Sequence, residues 1–165
     1  MTKLKTAYKF SILISLVSLN SAFCNSNCLV NQDTLNTDYE LLVDSLSSLE
    51  FGQNCGFLGD SQPKGRKAIS NLISDQHYLL IRSVLDGYNN EGRVYAIEAL
   101  LELNIKGDLI LTETEKQKIK NIIEEDFEFD RCLGSESETT YTLWLFAEDK
   151  YKRLLELNKI KINYR

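Results

Sequence analysis

The sequence predicts an all-α fold, a short right-handed stack of antiparallel helix pairs with capping helices at both ends. The first observation behind this is a repeated phrase, Gly65-Arg66-Lys67-Ala68-Ile69-Ser70-Asn71-Leu72-Ile73 and then Gly92-Arg93-Val94-Tyr95-Ala96-Ile97-Glu98-Ala99-Leu100-Leu101. The second is that each copy leads into another segment with apolar residues at helical spacing. The repeating unit is therefore a helix pair, which buries its apolar face by stacking on its neighbour. The third is a pair of capping-box patterns, Thr37-Asp38-Tyr39-Glu40 and Thr112-Glu113-Thr114-Glu115. In each, a hydroxyl and a carboxylate satisfy backbone N–H groups that a first helical turn leaves unpaired.

Taken from the amino terminus, residues 1–24 read as a secretory signal peptide. Lys3, Lys5 and Lys9 precede the uncharged run from Phe10 to Leu19, which is about half as long as a bilayer-spanning helix. Ala22-Phe23-Cys24 would direct cleavage before Asn25, and Leu19-Asn20-Ser21 before Ala22. A lipoprotein signal ending at a lipidated Cys24 is a further alternative, although Phe23 is large for the position before such a cysteine. Cleavage before Asn25 removes three lysines and no acid, so the formal net charge moves from −5 to about −8. An acidic chain disfavours nucleic acid and anionic membrane surfaces as partners, since both reward clustered Lys and Arg. The reading is an exported protein, periplasmic or secreted, with no membrane span.

Residues 25–36 are rich in turn formers and read as a flexible leader. A single helical-repeat domain is expected over 37–158. Tyr39, Leu42, Val43, Leu46 and Leu49 predict a first helix from about 38 to 50, stopped by Gly52. Phe51 to Asp60 is a glycine-rich loop without the spacing of a phosphate-binding loop. Pro63, the only proline, opens the first repeat helix, which runs to about Ser74. Asp75 is placed to cap the second, in which Tyr78, Leu79, Ile81, Val84 and Leu85 recur at threes and fours. The helix from Val94 to Leu103 is apolar over most of its circumference, as one sandwiched between neighbours must be. Ile119, Ile122, Ile123 and Phe127 form one stripe on the helix after Thr112. Residues 126–140 read as a long acidic loop. A last helix from about Thr140 to Asn158 uses Leu143, Phe146, Ala147, Leu154 and Leu155, with Trp144 and Tyr151 alongside. Residues 159–165 are a basic tail.

The paired helices, the offset of 28 residues between Ala68-Ile69 and Ala96-Ile97, and the Gly92-to-Leu100 phrase resemble HEAT-type helical repeats. They are most similar to the short versions in small exported bacterial proteins of unknown function, which carry a similar Phe-Gly-x-x-Cys-Gly loop ahead of the repeats. The resemblance covers roughly 50–130. It implies an α-solenoid fragment with a binding surface and transfers no catalytic residue.

Four cysteines remain to be placed. Cys55 and Cys132 lie within the presumed fold and are the expected disulfide, which suits an oxidising compartment. If Cys24 leaves with the signal peptide, Cys28, in the polar leader, is then a free thiol or pairs between chains. No Cys-x-x-Cys occurs, and His77 is the only histidine, so neither a redox dithiol nor a zinc site is expected. The acidic run Glu124, Glu125, Asp126, Glu128 and Asp130 lacks the calcium-loop pattern and reads as solvated. Glu98 stands out because it lies within an apolar helix, unless it occupies that helix's solvent side.

No catalytic, cofactor or metal site emerges. The leading expectation is a non-catalytic module that binds a protein partner. An inhibitor or immunity-type protein that neutralises an enzyme or toxin is the alternative. An enzyme using carboxylates or the Cys28 thiol comes third.

Overall fold

Helix α4 (Asn90–Lys106) has apolar residues on almost every side, and Val94 to Leu101 are buried without a break. Such a helix belongs in an interior, and the other elements cover it. The computed structural model describes residues 37–55 and 61–164. In order they form α1 (37–43), α2 (Lys64–Ser74), α3 (Tyr78–Val84), α4, α5 (Glu113–Glu124), β1 (Glu128–Leu133), β2 (Glu136–Tyr141), α6 (Thr142–Ala147) and α7 (Asp149–Leu157). Helices α2, α3 and α7 and strand β1 all pack on α4, while α5 packs on α6. The signal peptide 1–24 and the leader 25–36, and with them Cys24 and Cys28, lie outside the described residues.

The repeated phrase has a structural meaning that is the same in both copies. A Cβ on Gly65 would stand 2.4 Å from the Tyr95 ring, and one on Gly92 would stand 1.8 Å from the Leu42 carbonyl oxygen. Each glycine therefore admits a neighbour that no other residue would. The arginine that follows reaches out of its helix to a carboxylate and lies over an aromatic face. Arg66 pairs with Glu98 and covers Tyr95, and Arg93 pairs with Glu125 and covers Phe127. Helix α4 is closed at its start by Asn89, whose side chain accepts the Gly92 N–H and donates to the Asp44 and Ser47 carbonyls.

The all-α expectation is overturned. Residues 126–140 are not a loop: β1 and β2 pair antiparallel from Glu128↔Tyr141 to Leu133↔Glu136, turning through Gly134 and Ser135. The segment before α2 extends this hairpin, because Phe51 N–H donates to Asp130 O and Cys132 N–H to Phe51 O. The Cys55–Cys132 disulfide, S–S 2.02 Å, fastens that edge. The hairpin is docked on α4 through Asn90, which donates to Glu128 O, and Glu91, which accepts the Asp130 N–H. The fold is thus mixed, rich in helix, with helices and a β-hairpin packed on one central helix.

Three boundaries also differ from expectation. Helix α1 ends at 43, because the Asp44 carboxylate accepts the Leu46 N–H and the Ser47 hydroxyl and folds a turn. Leu46 is left 92 % exposed rather than inward. Asp75 ends α2 instead of capping α3: Gln76 takes φ 58, and the N–H groups of Gln76 and His77 return to Ile73 and Leu72, which satisfies the last carbonyls of the helix. The final helix is two, α6 and α7, separated by Glu148 at ψ 144. The capping box at Thr112 and Glu115 is present as expected.

Candidate binding site

Of the residues singled out in the sequence, Cys55 and Cys132 are brought together as a disulfide between the pre-α2 segment and β1. With Glu50 they form a group of metal-type ligands, but sulfurs bonded to each other are not the thiolates a metal takes. His77 precedes α3, half-buried, without capping it through its side chain.

Glu98 faces inward, at 1 % exposure. Arg66 Nη2 lies 2.5 Å from one carboxylate oxygen, and Lys150 Nζ lies 2.6 Å from the other. The Tyr151 hydroxyl approaches that second oxygen at 3.4 Å. One side chain of α4 thus joins α2 to α7. Burial raises the Tyr151 hydroxyl above its ordinary range, and the Glu98 charge adds to this, against the opposing pull of Arg131 and Arg66. Burial also pushes Tyr95 up to about 12, so its hydroxyl stays protonated. It donates to the Glu50 carbonyl at 2.6 Å and accepts the Gly52 N–H at 3.0 Å. The cluster is a junction that fixes the pre-α2 segment, α2, α4 and α7 together.

Space for a ligand lies on the other side, between the end of α5, α6 and the chain beyond α7. The cavity is about 410 Å³, lined by Glu124, Glu125, Asp126, Leu143, Trp144, Ala147 and Tyr164. Its walls are set by hydrogen bonds. Asp126, at φ 52 just after α5, accepts the Leu143 N–H and so holds the start of α6. Thr142 donates its N–H to Phe127 O and its hydroxyl to Ile123 O. Tyr164 donates to Phe146 O near the end of α6, and Asn163 N–H donates to Glu124. Trp144 is 68 % exposed and stands edge-on to Tyr141 at 5.4 Å. Glu125 is paired with Arg93 and Glu124 more distantly with Lys120, yet among the described residues no basic side chain lines the cavity itself.

Sequence reasoning missed this site. The sequence places Trp144 only alongside the apolar residues of a last helix and reads the acids as a solvated run. The usable signal was the coincidence of the only tryptophan with an acidic run that the chain returns to after a hairpin.

Fold and cavity together define a small helical domain, edged by a disulfide-bonded hairpin, that presents an acidic aromatic recess. No protein-family model matches the chain, and no curated protein or solved structure matches it either. Among the described residues, no helix is long and apolar enough to cross a membrane.

Proposed function

We propose that the protein is a non-catalytic binding module that holds a basic segment of a protein partner in the Trp144 cavity. The observation that carries this is an exposed tryptophan on a recess walled by three carboxylates. Of these, Glu124 and Glu125 pair with Lys120 and Arg93 outside the lining, and Asp126 has no ion-pair partner among the described residues. A Lys or Arg side chain there gains both a carboxylate and an aromatic face, and aromatic anchors in pockets dominate binding energy at interfaces. The Cys55–Cys132 disulfide supports residence in an oxidising compartment, as does the lysine-led apolar run from Lys3 to Leu19.

Titration with a short arginine-rich peptide, read by the fluorescence of Trp144, tests the reading. A saturable spectral change that weakens with salt is expected, and Glu124→Gln with Glu125→Gln should weaken it at least about ten-fold. An unchanged spectrum at all peptide concentrations rejects it.

A further inference from the structure

We propose that a second cavity, between α5 and the segment following α7, is a binding site for a phosphoryl group. The cavity is about 220 Å³ and is lined by Lys116, Lys120, Lys159 and Lys161, with Gln117 and one carboxylate, Glu113. In a chain of net charge −5, this is a local excess of three positive charges around one recess.

The backbone builds it deliberately. Lys116 and Lys120 are one helical turn apart on α5 and so share a face. Lys159 and Lys161 come from the chain that α7 releases. The N–H groups of Lys159 and Ile160 return to Glu156 O and Leu155 O, and Lys159 adopts φ 60, a conformation glycine takes most readily. Ile160 is then buried at 6 % exposure and anchors the segment, with a lysine on either side of it at the cavity.

Two of the four ammonium groups are already engaged. Lys116 lies 2.7 Å from Glu113, and Lys120 lies 3.7 Å from Glu124. Lys159 and Lys161 have no ion-pair partner among the described residues. The uncompensated ammonium groups of Lys159 and Lys161 repel one another until an anion enters, and Lys116 and Lys120 stand ready beside them. Each offers three donors, which suits a compact group with two charges and several acceptor oxygens. An extended polyanion is disfavoured by the neighbouring acids, since Glu124, the partner of Lys120, is also a wall of the Trp144 cavity. The occupant is therefore a single phosphoryl group, free or carried on an ester.

The test is calorimetric titration of the full chain with inorganic phosphate at fixed ionic strength, beside sedimentation with phosphatidylcholine vesicles containing phosphatidic acid. Saturable binding in either arm is expected, and the arm that responds tells a soluble phosphate from a lipid headgroup. Lys159→Gln with Lys161→Gln should weaken it at least about ten-fold, since each removes a charged donor. Lys118→Gln, on α5 but paired with Asp86 instead, should leave it unchanged. No saturable response in either arm overturns the proposal, as does equal weakening by Lys118→Gln. Tighter binding of a single-stranded oligonucleotide than of phosphate also overturns it, in favour of a polyanion surface. Trp144 takes no part, so this result is independent of the arginine-peptide titration.

Discussion

Glu98 decides more of the interior than its size indicates. Removing one partner of a buried ion pair leaves the other charge uncompensated. Glu98→Ala is expected to lower unfolding free energy by about 3–5 kcal/mol, read from urea midpoints. Replacing Glu98 with its more buried partner, Glu98→Met with Arg66→Met, should recover much of the loss, because the two buried charges leave together and Lys150, the second partner, is half exposed to water. Tyr95 makes a pH statement. Its folded value near 12 lies above its ordinary 10.0, so its contribution is complete below about pH 10 and is lost as pH rises from there through about 12. Tyr95→Phe is expected to destabilise by about 1–3 kcal/mol near neutrality, by orphaning the Gly52 N–H and Glu50 carbonyl. It should also make the alkaline loss shallower, leaving the part that Tyr151, shifted in the same direction, supplies. At this scale the sequence marked Glu98 as unusual but could not say which way it faced, because α4 has no dry and wet side to compare.

Helices were legible where one face differs from the other or a cap is written out: α2 after Pro63, and α5 behind its Thr112–Glu115 box. The hairpin was not, because its strands carry little apolar signal. Within β2 only Thr140 is buried, and a strand polar on most positions resembles a loop. The local clue was Gly134-Ser135 between two six-residue runs, a two-residue connection of the kind hairpins use. What holds the hairpin comes from outside it: the Phe51 rungs, the Phe51–Phe129 ring contact and the disulfide. Cys132→Ser opens a link of sequence separation 77 and is expected to cost about 4 kcal/mol. Hydrogen exchange should speed up first at the Cys132 and Phe51 N–H groups, which donate the two rungs between β1 and the segment before α2. Gly92→Ala acts on a different junction. With its Cβ 1.8 Å from Leu42 O, it must push α1 off α4, and a loss above about 2 kcal/mol is expected in thermal unfolding.

A stack of repeats and a cluster around one helix both need a helix that is apolar all round, and α4 satisfies either. What separates them is how the remaining chain closes, and that depends on non-local pairings such as Arg66 with Glu98 and Cys55 with Cys132, which no local pattern encodes. The carboxy-terminal segment shows the consequence. In sequence it is a basic tail with alternating residues; in the fold Ile160 is buried, Asn163 bonds Glu124, Tyr164 bonds Phe146, and both cavities take a wall from it. Removing the chain from Lys159 onward is expected to cost about 3 kcal/mol, from the burial of Ile160 and two hydrogen bonds. The same truncation should abolish phosphate binding and weaken arginine-peptide binding while circular dichroism keeps its helical signal, because α4 and the helices around it keep their core. If both ligands still bound with full affinity, the walls that matter would have to lie on α5 and α6 alone, and the carboxy-terminal segment would be a brace for the fold and nothing more.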